Sequence, residues 1–201
     1  MEPYSLAGEL CQLTPFEPAD TERVFDYCQD PEIQRWTPLP VPYRIQDAAV
    51  FTTVTTQKGW GGDITEHERI WAIRIQGEDG KPYLAGSVGL KPNPPGKSVE
   101  LGYLVAAACR GRGLATDAVN PAVAHALGDL GMRRVLWQAV VGNWPSRRLA
   151  VRCGFTVEGT VRSQLVMRGQ AFDGWVATII ADDLSKQEGY FKADGGVRLW
   201  D

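Results

Sequence analysis

Between residues 99 and 130 the hydrophobic period changes from two to that of a helix, and the change falls on one turn, Arg110-Gly-Arg-Gly-Leu-Ala115. Upstream, Val99 to Val105 alternates as a strand does; downstream, Leu114 to Leu130 carries Ala115, Ala118, Val119, Ala122, Ala126 and Leu130 on one stripe, with Gly131 as the stop. A strand that feeds a helix through two glycines must place the helix against a sheet, so an all-α or all-β chain is excluded. The glycines also let the backbone curl and present successive N–H groups, which makes the turn an anion cradle. The positive end of the helix dipole at the same point adds about 0.3 to 1 kcal/mol for an exposed anion. Pro121 interrupts this helix, and because the apolar stripe passes through it in phase we expect a kinked helix, not a new one.

The rest of the chain fits around that switch. A strand is expected near Glu9 to Leu13, a helix from Pro18 to Gln29, and then a Pro-rich loop, Trp36-Thr-Pro-Leu-Pro-Val-Pro-Tyr43, that neither helix nor central strand tolerates. A second helix covers Gln46 to Gln57 and breaks at Gly59-Trp-Gly-Gly-Asp63. Ile70 to Ile75, Leu84 to Leu90 and Val99 to Val105 read as an antiparallel meander, joined through Gly77-Glu-Asp-Gly80 and Lys91-Pro-Asn-Pro-Pro-Gly96. After the long helix come a buried strand, Val135 to Val141, a short helix, Ser146 to Cys153, ended by Gly154, and a hairpin of Val161 to Arg168 with Gly174 to Ala181. One sheet should hold all of these strands.

Charge and cysteine usage narrow the function classes. The net charge is −3, yet Cys109 to Arg168 holds nine arginines, no lysine and three acids. A local, arginine-only excess on an acidic chain points to a compact polyanion gripped by hydrogen-bonding forks. A long nucleic acid is disfavoured, since interleaved aromatics are lacking there and the remainder is acidic. Cys11, Cys28, Cys109 and Cys153 are widely spaced, and only His67 and His125 are present, so neither a disulfide framework nor a metal centre is expected. No basic stretch followed by an apolar run opens the chain, and no apolar run approaches the ~20 residues that span a bilayer. A reduced, cytoplasmic setting without membrane contact is the expectation.

Glu100-Leu-Gly-Tyr-Leu-Val105, Arg110-Gly-Arg-Gly-Leu-Ala-Thr116, Asn143-Trp-Pro-Ser146, Cys153-Gly-Phe155 and Val157-Glu-Gly159 follow one another in order. This series resembles the GNAT acyl-CoA N-acyltransferases, and within them the RimJ/RimL-like branch that acetylates N-terminal amines of ribosomal proteins. The resemblance implies an α/β (α+β) fold with a mixed, mostly antiparallel central sheet flanked by helices, in a single domain over residues 1–201. It implies acetyl-CoA as co-substrate and no metal. Arg110, Gly111, Arg112, Gly113, Leu114 and Ala115 would hold the diphosphate; Leu104 and Val105 would offer backbone groups to pantetheine and the acetyl carbonyl; Asn143 would bond the pantetheine arm. Arg147 and Arg148 are candidates for phosphates near the adenine end. Glu158 matches the base that deprotonates the amine, with Glu100 as its rival, and Ser146 matches a hydroxyl that hydrogen-bonds the leaving sulfur. As plain residues, Glu158 would be a solvated strand end and Ser146 a helix N-cap.

The expected reaction is direct transfer of acetyl from acetyl-CoA to a primary amine, on a protein N-terminus or a small molecule. The alternative is a coenzyme A-binding sensor or scaffold without turnover, which the pairing of Glu158 with Ser146 argues against. Trp36, Tyr43 and Trp60 would line an acceptor pocket, or else simply pack. Asp63, Glu66 and Glu68 in the loop 61–69 would draw in a cationic acceptor. A homodimer is compatible with the resemblance. Trp71, Trp137 and Trp175 fall in strands and read as core, while His67 and His125 read as ordinary surface or core residues.

Overall fold

The computed structural model describes residues 2–184. Its centre is one eight-stranded sheet in the order β1-β2-β3-β4-β5-β6-β8-β7. The short hairpin β1 (Leu6–Ala7) and β2 (Gln12–Thr14) leads to the meander β3 (Arg69–Gln76), β4 (Pro82–Pro92) and β5 (Ser98–Val105). β6 (Arg134–Val140) then runs parallel to β5, and the hairpin β7 (Thr156–Met167) and β8 (Gln170–Ile179) closes the far side, with β8 antiparallel to β6. The meander thus lies where the alternation placed it, whereas the closing hairpin, expected over Val161 to Arg168 and Gly174 to Ala181, begins earlier in both strands, at Thr156 and Gln170. The strand expected at Glu9 to Leu13 is instead split into β1 and β2, because the N–H groups of Glu9, Leu10 and Cys11 turn onto the Asp117 carboxylate at 2.8 to 3.0 Å.

Helices cover both faces. On one lie α1 (Thr21–Cys28), α2 (Pro31–Trp36) and α3 (Ile45–Val50), the last continued by a π-helical stretch, Phe51–Thr55, and by α4 (Thr56–Lys58). α2 was not foreseen: Asp30 caps it by accepting from Glu32 N–H, and Pro31 suits its first turn. The start of α1 is tied to β3 by a two-pronged pair, Arg74 Nη1 and Nη2 donating to Asp20 at 2.9 and 2.8 Å. Both groups are mostly buried, so removing either partner should cost about 3 to 5 kcal/mol. The other helices are α5 (Leu114–Leu127) and α6 (Trp144–Arg152). α5 passes through Pro121 unbroken and buries Ala118, Val119, Ala122, Val123 and Ala126. It ends at Gly128, three residues short of the expected stop.

Two features of the sheet make room for a site. β4 and β5 approach so closely that a Cβ at Gly86 would lie 2.2 Å from the Leu104 carbonyl oxygen, so only glycine fits. β5 and β6, by contrast, pair only from Ser98↔Arg134 to Leu101↔Trp137. Beyond that point they splay, leaving the β6-facing edge of residues 102–105 unpaired.

Candidate active site

The splay opens into a cleft of about 1030 Å³. It runs from α1 and α2, past the diverging strands, to the turn before α5 and the start of α6. At the α5 end, Gly111 and Gly113 have φ of +74° and +80°, which only glycine adopts without strain, and a Cβ added to Gly111 would meet nothing within 4 Å. Asp117 N–H makes the first intrahelical bond, to Gly113, at 3.0 Å. The N–H groups of Leu114, Ala115 and Thr116 therefore precede the hydrogen-bonded ladder and are open to an anion. The turn has the shape and polarity a diphosphate requires.

Arg110 serves this turn differently from the expectation. Its guanidinium is paired with Asp30 of the α2 cap and donates from Nε to the Val105 carbonyl at 3.1 Å, so it latches the glycine turn to the helices across the cleft. Arg168 acts similarly, donating to the carbonyls of Thr37 and Leu39 at 2.9 and 3.0 Å and pinning the Pro-rich loop. Arg147 lies over the Trp144 and Trp175 rings, and Arg112 and Arg148 are exposed. None of these last three lines the cleft.

At the centre of the cleft, Ser146 is not the cap of α6. Asn143 holds that position, its Oδ1 accepting from Ser146 N–H at 3.3 Å, and the helix begins at Trp144. Asn143 can therefore offer a ligand its amide N–H donors and the second lone pair of Oδ1. Ser146 Oγ instead accepts from Tyr103 Oη at 2.9 Å and from Trp137 Nε1 at 3.2 Å. Trp137, expected as plain core, is therefore core and cleft lining together. Burial is the main cause that pushes the Tyr103 phenol up to about 12, against the opposing bond to Ser146, so it stays protonated at any working pH.

Across the sheet a carboxylate pair lines the cleft floor. Glu100 accepts from Gln138 Nε2 at 3.2 Å, and Gln138 Oε1 in turn accepts from Gln164 Nε2 at 2.7 Å. Glu68, expected with Asp63 and Glu66 in an acceptor-side loop, sits just before β3 and lines the cleft. Burial raises its carboxyl above the ordinary 4.5, Lys91 opposes that rise, and the Glu100 charge adds to it. A carboxyl raised by folding is most at ease protonated, so its contribution to stability is fullest below 4.5 and declines as pH climbs to its folded value. Glu68→Gln, neutral throughout, should therefore gain melting temperature relative to wild type as pH rises above 4.5. A pH-independent difference in scanning calorimetry would show that folding leaves Glu68 solvated.

The remaining candidates divide. Trp36 and Tyr43 line the cleft, but Trp60 does not: it is 3% exposed and packs edge-on against Tyr4 and Trp71, with ring centroids 5.2 and 5.5 Å away. Of the two readings of Trp60 packing holds, since the N-terminal Tyr4 and strand β3 enclose it. Glu158 stands on β7 as the extra residue of a bulge between Val157 and Gly159, exposed, accepting from Thr178 Oγ1 and outside the cleft lining. Asp63 is engaged with Thr65, and its carboxyl is held low chiefly by the Thr65 backbone N–H.

The description "Acetyltransferase (GNAT) domain" matches residues 11–156, which take in the meander, the glycine turn, α5 and the start of β7. The chain belongs to the GNAT acetyltransferase family. It is 35% identical over 77 residues to a Bacillus subtilis (strain 168) protein named ribosomal N-acetyltransferase YdaF, a match that spans 38% of this chain and 42% of that protein. Solved structures share the fold of this GNAT chain at lower identity. Mycobacterium smegmatis RimJ, in complex with CoA-disulfide, superposes with a TM-score of 0.76 at 20% identity over 92% of each chain. The microcin C7 self-immunity acetyltransferase MccE, in complex with acetyl-CoA and AMP, gives 0.72 at 22% identity over 86% of this chain and 93% of that one.

Proposed function

We propose that this GNAT protein is an acetyl-CoA-dependent N-acetyltransferase in which Glu100 is the base and Ser146 faces the departing sulfur. One observation carries the reading. A single cleft joins the open N–H groups before α5, the splayed edge of β5, the Ser146 hydroxyl and the Glu100 carboxylate. Acetyl-CoA supplies the activated acetyl group. The turn 110–115 holds its diphosphate, and the open edge of Leu104 and Val105 supports the pantetheine arm and the acetyl carbonyl. Asn143 adds amide N–H groups along that arm.

Acyl transfer to an amine needs the amine neutral and the developing charges on oxygen and sulfur stabilised. Glu100, held by Gln138, is the carboxylate placed inside the cleft to take the proton, directly or through water. The role passes to it from Glu158 because Glu158 lies outside the cleft lining and is already bonded to Thr178. Glu68 beside it gives the floor a second carboxylate, which favours a cationic amine, and the roof of Ile33, Trp36 and Leu39 suits an apolar neighbouring group. A cytoplasmic protein N-terminus or a small cationic amine fits these walls. A pure coenzyme A sensor would have no use for an oriented carboxylate opposite the sulfur.

A panel of amines assayed for thiol release from acetyl-CoA tests the reading. Turnover with at least one primary amine is expected, and tight coenzyme A binding with no amine turned over would leave the sensor. For the preferred amine, Glu68→Gln should raise KM by about 3- to 10-fold at low salt, in proportion to roughly 1 kcal/mol of attraction, and less at 0.5 M salt. Equal KM for both proteins at low salt would remove Glu68 from acceptor binding.

A further inference from the structure

Ser146 has one hydroxyl proton and two lone pairs, and its neighbours decide what it can do with them. Trp137 Nε1 can only donate, so one lone pair of Ser146 Oγ is filled at 3.2 Å. Tyr103 Oη, donating at 2.9 Å, fills the other. No acceptor for the Ser146 proton is found among the described residues, and Ser146 lines the cleft, so the outlet for that proton is the cleft itself.

We propose that Tyr103 and Trp137 are positioning residues for the leaving group: by filling both lone pairs of Ser146 Oγ they make its hydroxyl a dedicated donor aimed at the departing sulfur. This rests on the reading of Ser146 given above. An unassisted serine hydroxyl is as ready to accept as to donate and rotates freely. With two donors bonded to it, the oxygen is oriented and its O–H is polarised, which strengthens an outgoing bond by about 10 to 30%. When the C–S bond breaks, its electron pair goes to sulfur. Ser146 keeps its proton and holds the thiolate by a hydrogen bond, and the sulfur gains its own proton from solvent on release. The phenol, which burial keeps protonated, suits a fixed donor. The two residues come from different strands, residue 103 lying beyond the last β5–β6 pair, so the splay that opens the cleft also brings both donors to the same oxygen.

The test needs no acceptor. Free coenzyme A is bound to the protein and its thiol titrated by thiolate absorbance near 240 nm, with desulfo-coenzyme A as the blank to cancel protein tyrosines and cysteines. Ser146→Ala should raise the bound thiol pKa by about one unit, the worth of one hydrogen bond to an anion. Tyr103→Phe should raise it by about a third of that amount, and Tyr103→Phe in the Ser146→Ala background should add nothing. Trp137→Phe removes the other donor and should act in the same direction, which keeps the test available if one variant folds poorly. A wild-type value for both Tyr103→Phe and Trp137→Phe would overturn the proposal. So would a Tyr103→Phe effect that persists without Ser146, or one larger than that of Ser146→Ala, since the phenol would then face the sulfur itself. If Ser146→Ala has no effect, the assignment of Ser146 falls and this inference with it, while amine acetylation through Glu100 still stands or falls on the amine panel.

Discussion

Gly113→Glu should weaken coenzyme A binding at least 100-fold in titration calorimetry while the protein remains folded. Gly113 caps α5 with φ of +80°, and a side chain there enters the left-handed region at a cost of about 1 to 2 kcal/mol. The space around it is adequate, since a Cβ would lie 3.6 Å from Leu10 Cδ1, an ordinary contact. Folding therefore survives with a lower melting temperature. Binding does not, because the carboxylate is placed beside the open N–H groups of Leu114, Ala115 and Thr116, where it repels a phosphate and competes for its donors. Gly113→Asn separates the two effects: asparagine tolerates the same φ without charge, so it should retain most of the affinity. Unchanged affinity in the glutamate variant would show that the diphosphate lies elsewhere.

The parts of this cleft that were legible in the sequence are those set by local rules. Period-two stretches punctuated by glycine and proline specify the meander, and the glycine turn before a 3.6-period stripe specifies the cradle, because φ and amide exposure depend on few neighbours. The parts that were not legible depend on contacts between distant segments. Arg110 looks like a phosphate ligand until Asp30, 80 residues away, takes its guanidinium. Whether Trp60 lines a pocket or packs is decided by Tyr4 and Trp71, which surround it. Asn143 and Ser146 are both good capping residues, and their spacing alone does not say which one caps; Pro145 in the first turn favours Asn143, and Ser146 is thereby released for Tyr103 and Trp137. Glu68 belongs to an acidic loop by composition, yet it immediately precedes β3, and the paired strand β4 brings Lys91 toward it and Glu100. Strand β5 supplies the most chemistry for its length because alternation sends Glu100 to one face and Tyr103 to the other.

That alternation makes Glu100 the residue whose loss should be felt most in turnover. Glu100→Gln keeps the size of the side chain and an oxygen to accept from Gln138, so the cleft should keep its shape and coenzyme A affinity should be unchanged within twofold. The rate with the best amine of the panel should fall by about 10²- to 10⁴-fold, the range for a positioned base. Glu158→Gln is the matched comparison. It keeps an oxygen to accept from Thr178 Oγ1 on an exposed bulge and should alter kcat less than threefold. The opposite result, a large loss in Glu158→Gln and near-normal turnover in Glu100→Gln, would require β7 to shift during turnover and bring its bulge into the cleft. Equal, modest losses in both would leave the proton to bulk water, and the rate would then track the free-amine fraction alone across the whole pH range.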